Sequence, residues 1–335
     1  MRPLRAERYC TGCAGLRSPA RRGRPPPSRV GSLPPPSPSR SHPMRYGVAA
    51  PQANAFATPD SIRAVAHAVE DLGFDSLWVS DHIIVPEGSG YIPEFMDEPL
   101  ATLAFLAAET RHVTLGTSVL ILPYRDPVFT AKFLSTVDYL SAGRLVVGVG
   151  AGWLPEEFAT LGVPFEERGP RTDEALRVFR NLWETETSSF EGRFKKYDKM
   201  RMFPKAATSR RGTIPLWVGG NGVASIRRAA ELGDGWHPIN LSPAELAPLV
   251  AQYRAQCGRF GRAPGPVCLR HMPGGRRPPS GDRQPLTGTP AEQAADIQAY
   301  AAAGLDELML SLPARTQDEL LSTLRRFMRE VAPKV

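Results

Sequence analysis

The chain has 335 residues, with 41 lysines and arginines against 34 acids and a formal net charge of +7, a length for one large domain or two ordinary ones. Nine arginines and the lone acid Glu7 give residues 1–43 a net +8, and 7 − 8 leaves about −1 for residues 44–335. The basic balance therefore belongs to the leading segment, and the remainder carries no electrostatic footprint for nucleic acid; nor does any stretch approach the ~18 consecutive apolar residues of a membrane span.

The leading segment includes RRGRPPPSRVGSLPPPSPSRSHP. It has too few apolar side chains to offset the entropy of ordering itself, and its proline runs favour an extended chain. It lacks the apolar stretch of a secretory signal, and its prolines oppose the amphipathic helix of a transit peptide. We expect residues 1–43 to be a disordered extension or a start-site artefact, with one barrel domain over residues 44–335 opening at Met44. Cys10 and Cys13 have C-x-x-C spacing but no second pair to complete a zinc site, so no metal is expected. Cys257 and Cys268 read as ordinary thiols of a reducing cytoplasm.

From Met44 the pattern alternates. A strand at 45–50 precedes a helix at 60–72 with Ile62, Val65, Ala66, Val69 and Leu72 on one face, closed by Gly73. Strand 76–79 leads to helix 100–110, strand 113–122 to helix 127–140, and strand 144–149, after a loop, to helix 171–183. The polar stretch ETETSSFEGRFKKYDKMRMFPKAATSRRG reads as an insertion after this fourth unit, with a hairpin across FEGRFKKY. Strands at 216–219, 235–239, 267–271 and 307–312 then alternate with helices at 223–232, 243–257, 290–303 and 316–331. Eight strand–helix units predict an α/β fold, a (β/α)8 TIM barrel with parallel strands inside and helices outside. A doubly wound open sheet would want a Gly-rich fingerprint after its first strand, and VAAPQANAFATPD has none.

The strand FDSLWV ends in Ser80, Asp81 and His82. In such a barrel the active site lies at the C-terminal ends of the strands, so this polar pair is either a site rim or an exposed turn. Other strand ends are rich in small residues, which let backbone approach a ligand: GVGAG at 148–152 and GGNG at 219–222. The second leads directly into a helix, which would present free N–H groups and the positive dipole end, a phosphate-binding arrangement as well as plain turn chemistry.

Five segments in order, LGFDSLWVSDHI, LGTSVLILPYRDPV, LSAGRLVVGVGAGWLPEEF, PLWVGGNGVASIRRAAELGDGW and GTPAEQAADIQAYAAAGLDELML, resemble the bacterial-luciferase-like flavin and deazaflavin oxidoreductases. The SDH and GTSVL forms look like the branch that uses the deazaflavin coenzyme F-420. The resemblance implies a ring lying across the barrel mouth against a non-proline cis peptide at Ser118–Val119. It implies Asp81 as a cofactor-contacting acid and His82 as the catalytic proton donor or acceptor. Ala151 and Gly152 match positions near the cofactor tail. Gly219, Gly220, Asn221 and Gly222 match the phosphate-binding turn, with Ala224 and Ser225 in the helical turn behind it.

Departures bear on the substrate. The sugar-phosphate branch has a glutamate where this chain has Trp153 and a tryptophan where it has Pro86, so glucose 6-phosphate is not expected. Trp153, Tyr91, Phe95 and Tyr124 suggest an apolar, aromatic pocket. Glu156 and Glu157 read as acids favouring a helix N-terminus after Pro155. His67 and His112 read as surface or structural residues, and His237, ending a strand, as a residue that could face the pocket. The expectation is a cytoplasmic, homodimeric F-420-dependent oxidoreductase acting on a small molecule. The alternatives are an FMN-dependent monooxygenase fed by a reductase and a non-catalytic cofactor-binding barrel.

Overall fold

Apolar runs become strands and periodic stretches become helices in the order β1 (Arg45–Ala49), α1 (Pro59–Leu72), β2 (Ser76–Val79), α2 (Pro99–Glu109), β3 (Thr114–Ile121), α3 (Pro127–Leu140), β4 (Leu145–Gly150), α4 (Pro155–Thr160), α5 (Arg168–Glu184), β5 (Ser188–Glu191), β6 (Lys196–Met200), β7 (Leu216–Gly219), α6 (Val223–Leu232), β8 (Gly235–His237), α7 (Pro243–Arg259), β9 (Cys268–His271), α8 (Pro290–Ala302), β10 (Glu307–Leu310) and α9 (Gln317–Arg326). The computed structural model describes residues 44–53, 56–90, 92–206, 213–272 and 283–335. The expected extension with its Cys10–Cys13 spacing, and Tyr91, lie outside the described residues.

Eight parallel strands form one sheet in the order β8-β7-β4-β3-β2-β1-β10-β9. The two end strands meet: Trp236 bridges Val267 and Ile239 bridges Arg270, both in parallel, and the Arg270 N–H donates to the Pro238 carbonyl at 2.9 Å. The sheet therefore closes into a (β/α)8 barrel, and the open-sheet alternative is excluded by that seam. The loop expected before the fifth helix contains α4 and a 3-10 turn at Phe165–Glu167. The polar stretch after α5 forms an antiparallel β5–β6 ribbon. Its turn is anchored by the buried Glu174 carboxylate, which accepts N–H bonds from Arg193, Phe194 and Lys195.

Strand side chains alternate between two cores, as parallel strands covered on both faces require. Outward residues such as Leu77, Leu115, Val147, Leu216 and Leu308 pack under Val69, Leu103, Leu134, Phe179 and Ile297 of the helices. Inward, Trp78, Val146, Trp217, Cys268 and Met309 fill the barrel. Trp78 is admitted because β1 and β3 offer no side chain beside it: a Cβ at Gly116 would lie 2.3 Å from its ring. Its indole N–H donates to Ser76 Oγ, which donates to the buried Glu307 carboxylate. Burial pushes that carboxyl up, and Arg45 at the N-terminal mouth opposes it. The helices are pinned by N-caps; Thr58, Asp126, Ser242, Thr289 and Thr316 each accept a first-turn N–H.

Candidate active site

At the C-terminal ends of the strands the barrel opens into a cavity of about 840 Å³. Its floor is built at β3. The Ser118–Val119 peptide is cis, the β3–β4 register shifts between Thr117 and Leu120, and Val119 lines the cavity. The glycines of β4 and β7 make space for it: a Cβ at Gly150 would lie 2.6 Å from Val119 Cγ2, and one at Gly219 would lie 2.7 Å from Cγ1. Ser118 is braced from the far wall. Its hydroxyl lies 2.7 Å from His237 Nε2, and its carbonyl accepts from Arg270 Nη1. His237 Nδ1 sits 2.6 Å from the Cys268 carbonyl, which fixes Nδ1 as the donor and leaves Nε2 to accept from Ser118. Burial, with Arg270 adding to it, lowers His237 to about 4 although the Cys268 carbonyl pulls the other way, so the ring is neutral.

One wall is made by the segment after β2. His82 Nδ1 lies 2.9 Å from Glu157 Oε2, with the imidazole side chain 16% exposed and the carboxylate fully enclosed. Glu157 also accepts the Tyr124 hydroxyl at 2.8 Å and the backbone N–H groups of Ile83 and Ile84. Burial raises the Glu157 carboxyl, but these bonds outweigh it and hold it below its ordinary value. An ionised carboxylate has no proton to give, so His82 donates through Nδ1, and its Nε2 is left for the cavity that the residue lines. Trp153 meets the His82 ring edge-on, 6.0 Å between centroids. The remaining walls are mostly apolar: Phe56, Ile92, Met96, Ile239, Met272 and Leu312.

The structure separates the expected site residues. His82, Ser118, Val119, Ala151, Gly152, Trp153, Gly219, Gly220 and Ser225 all line the cavity. Asp81 also borders it, but its carboxylate is fully enclosed. The oxygens accept both Nη groups of Arg125, at 2.6 and 2.9 Å, and the Ile121 N–H at 2.7 Å. Burial pushes the Asp81 carboxyl up and Arg125 pulls against it, so it ties the end of β2 to the end of β3. Tyr124 is a correction. The 3-10 turn at Leu122–Tyr124 carries it behind Glu157 and against Phe158, 4.9 Å between centroids, into a separate hollow of about 270 Å³. It is therefore not an aromatic wall of the main cavity. Phe95 is 54% exposed and does not line that cavity either.

The turn after β7 is held by its own side chain. Asn221 Nδ2 donates to the Ile239 carbonyl at 2.8 Å, and Oδ1 accepts the Ile239 N–H at 2.9 Å. Gly220 has φ +108 and no room for a Cβ beside Ser225 Oγ. Gly222 is the N-cap of α6 and supplies no side-chain cap. Unlike the helices closed by Thr58 or Ser242, α6 thus presents uncapped first-turn N–H groups, from Val223 and Ala224 onward, beside the cavity-lining Ser225. Gly222 and Ala224 themselves do not line the cavity.

Two participants escaped the sequence reading. Glu157 looked like ordinary helix-start chemistry after Pro155. Arg270 was hidden in an apolar strand, although a lone arginine in VCLRH is itself a signal, since a buried strand rarely spends a position on a cation. Among the described residues no cluster of three or more His, Cys, Asp or Glu side chains could hold a metal ion, and no helix is long and apolar enough to cross a membrane.

Comparison with known proteins agrees with this architecture. A curated relative, the F420-dependent glucose-6-phosphate dehydrogenase of Nakamurella multipartita, is 33% identical over 199 residues, 58% of this chain and 56% of its own. The solved structure of an F420-dependent secondary alcohol dehydrogenase in complex with an F420–acetone adduct superposes with a TM-score of 0.71 at 19% identity, covering 87% of this chain and 99% of that one. The oxygenating constituent of the 3,6-diketocamphane monooxygenase of Pseudomonas putida, in complex with FMN, superposes with a TM-score of 0.72 at 18% identity and the same coverage; at these identities both likenesses concern the fold. The sequence model of the luciferase-like monooxygenase family matches residues 39–276, and the chain belongs to that family of oxidoreductases.

Proposed function

We propose that the protein transfers a hydride between the deazaflavin coenzyme F-420 and a small, largely apolar alcohol or carbonyl compound. The observation that carries this reading is the His82–Glu157 pair on the cavity wall. A fully enclosed carboxylate orients the imidazole through Nδ1, so Nε2 can take the proton of a substrate hydroxyl as its carbon loses hydride, or return it in the reverse direction. The cofactor, when bound, supplies the hydride acceptor or donor; the chain supplies binding, orientation and the proton.

The residues fit such a group. Val119 offers a raised apolar surface, Gly150 and Gly219 leave it uncovered, and Ala151 and Gly152 extend the same rim. The uncapped start of α6 suits a phosphate of the cofactor tail, with the Gly219–Gly222 turn, Ala224 and Ser225 around it. Asp81 then serves by fixing the ends of β2 and β3 rather than by an exposed carboxylate. The apolar walls and the scarcity of cationic groups argue against a sugar phosphate. Residues 44–335 would form one barrel domain, acting as a homodimer in the cytoplasm.

A second reading, an FMN-dependent monooxygenase supplied with reduced flavin by a partner, is favoured by the FMN-bound neighbour of the same fold. Parallel fluorescence titrations with oxidised F-420 and with FMN separate the two. Saturable binding of F-420 with FMN much weaker is the expected result, and the opposite preference would select the monooxygenase. Binding of neither would remove the cofactor assignment from Ser118 to Ser225.

A further inference from the structure

Among the described residues, the guanidinium on the cavity floor has no counter-charge. Arg270 projects from β9 and reaches Ser118 on β3, and these strands stand on opposite sides of the closed ring, since β3 is fourth and β9 eighth in the order β8-β7-β4-β3-β2-β1-β10-β9. Nη1 donates to the Ser118 carbonyl and Nε to Ser311 Oγ at 3.2 Å. Among the described residues no carboxylate pairs with it, unlike Arg125, which Asp81 and Glu98 both neutralise. Among the described residues Nη2 has no hydrogen-bond partner, and Arg270 lines the cavity. Burial lowers this arginine to about 10. A partly buried cation is costly unless an opposite charge or hydrogen-bond acceptors meet it.

We infer that Arg270 is the counter-cation for the charge that the pyrimidine edge of the bound cofactor gains when the ring accepts hydride. The inference rests on the hydride-transfer reading above. With the cofactor bound, a substrate alcohol would give its C–H hydrogen and electron pair to the ring as hydride, and its hydroxyl proton would pass to His82 Nε2. The ring would then carry one more negative charge than before, spread over its pyrimidine edge. A donor at that edge binds the reduced form more strongly than the oxidised form. Arg270 is placed for this because it already holds the carbonyl of the peptide on which the ring would rest. His237, the other group braced on Ser118, cannot serve: both ring nitrogens are committed, to Ser118 and to the Cys268 carbonyl.

The test is the affinity of purified protein for oxidised and for reduced F-420, measured anaerobically in the wild type and in the Arg270→Met, Arg270→Gln and Arg270→Lys variants. We expect Arg270→Met and Arg270→Gln to weaken the reduced form at least about tenfold more than the oxidised form, equivalent to about 30 mV in the two-electron potential of the bound cofactor. Arg270→Lys should recover most of that ratio by keeping the charge. If the variants weaken both forms equally, the arginine only braces Ser118 and the inference fails. It fails also if both affinities hold and only the substrate KM rises, because the guanidinium then meets a substrate anion. Wild-type protein that binds neither form overturns the hydride-transfer reading itself, and with it this one. If loss of charge prevents folding, the separate affinities of Arg270→Lys decide: both forms bound within about threefold of wild type support the counter-cation, and an equal, larger weakening of both forms rejects it.

Discussion

His82 and Glu157 show how far single residues can be read. The polar end of FDSLWVSDHI suggested the rim of a site, and His82 does line the cavity. Its partner could not be read in the same way, because the contact joins residues 75 positions apart and an acid two residues after the start of a helix already has a local explanation. Tyr124 was misplaced for a related reason: aromatic character predicts burial, but the 3-10 turn decides which side of Glu157 it is buried on. If the pair acts as proposed, His82→Asn should lower kcat by about 10²–10⁴-fold, the usual scale of positioned acid–base catalysis, with F-420 affinity changed by no more than about threefold. Glu157→Gln should give a smaller loss of kcat, since an amide can still accept from Nδ1 but cannot balance a charged imidazole. Steady-state kinetics beside binding titrations check both, and equal kcat in His82→Asn and wild type would remove His82 from the chemistry. Tyr124→Phe, which deletes one bond to Glu157 outside the main cavity, should cost only about 1 kcal/mol in urea unfolding and leave the substrate KM near its wild-type value.

At the scale of elements, the alternation of apolar runs and periodic stretches was enough for eight strands and their helices, because strand and helix periods are local properties of the chain. The glycines were less legible. GVGAG and WVGG could have been tight turns, barrel corners or ligand approaches; the structure shows that two of them exist for one side chain. Gly150 and Gly219, from β4 and β7, both leave room for Val119 of β3. Gly219→Ala should therefore destabilise the fold by about 1–3 kcal/mol through overpacking. Val119→Ala should relieve that clash, so that Gly219→Ala combined with Val119→Ala costs clearly less than the two single changes added together. Urea unfolding of the four proteins forms a double-mutant cycle. Strict additivity would mean that the glycine answers to backbone geometry rather than to Val119.

The whole barrel encloses two histidines at strand ends, and their common state has a consequence for pH. His237 faces inward and His271, its neighbour in the ring of strands, faces outward between β9 and the helices; they are 3% and 7% exposed. Burial is the leading cause that lowers each to about 4 from 6.5. The unfolded chain takes up these protons near pH 6.5, whereas the folded chain waits until about pH 4, so between those values the unfolded state binds more protons and stability falls as the pH drops. Above pH 6.5 both states are neutral and the effect vanishes. At about 1.4 kcal/mol per pH unit, the loss approaches roughly 3 kcal/mol for each imidazole as an upper bound. His237 repays its burial by holding Ser118. His271 has no such return, because both of its ring nitrogens are buried with no hydrogen-bond partner among the described residues. His271→Leu should therefore raise the melting temperature at pH 7, by removing two unsatisfied polar atoms. It should also flatten the decline between pH 7 and pH 5, by removing one of the two groups that resist protonation. Thermal unfolding of both proteins at pH 7, 6 and 5 tests this directly. A variant whose melting curve shifts in parallel with the wild type at every pH would show that His271 is not held neutral by the fold, and the acid sensitivity would then have to come from His237.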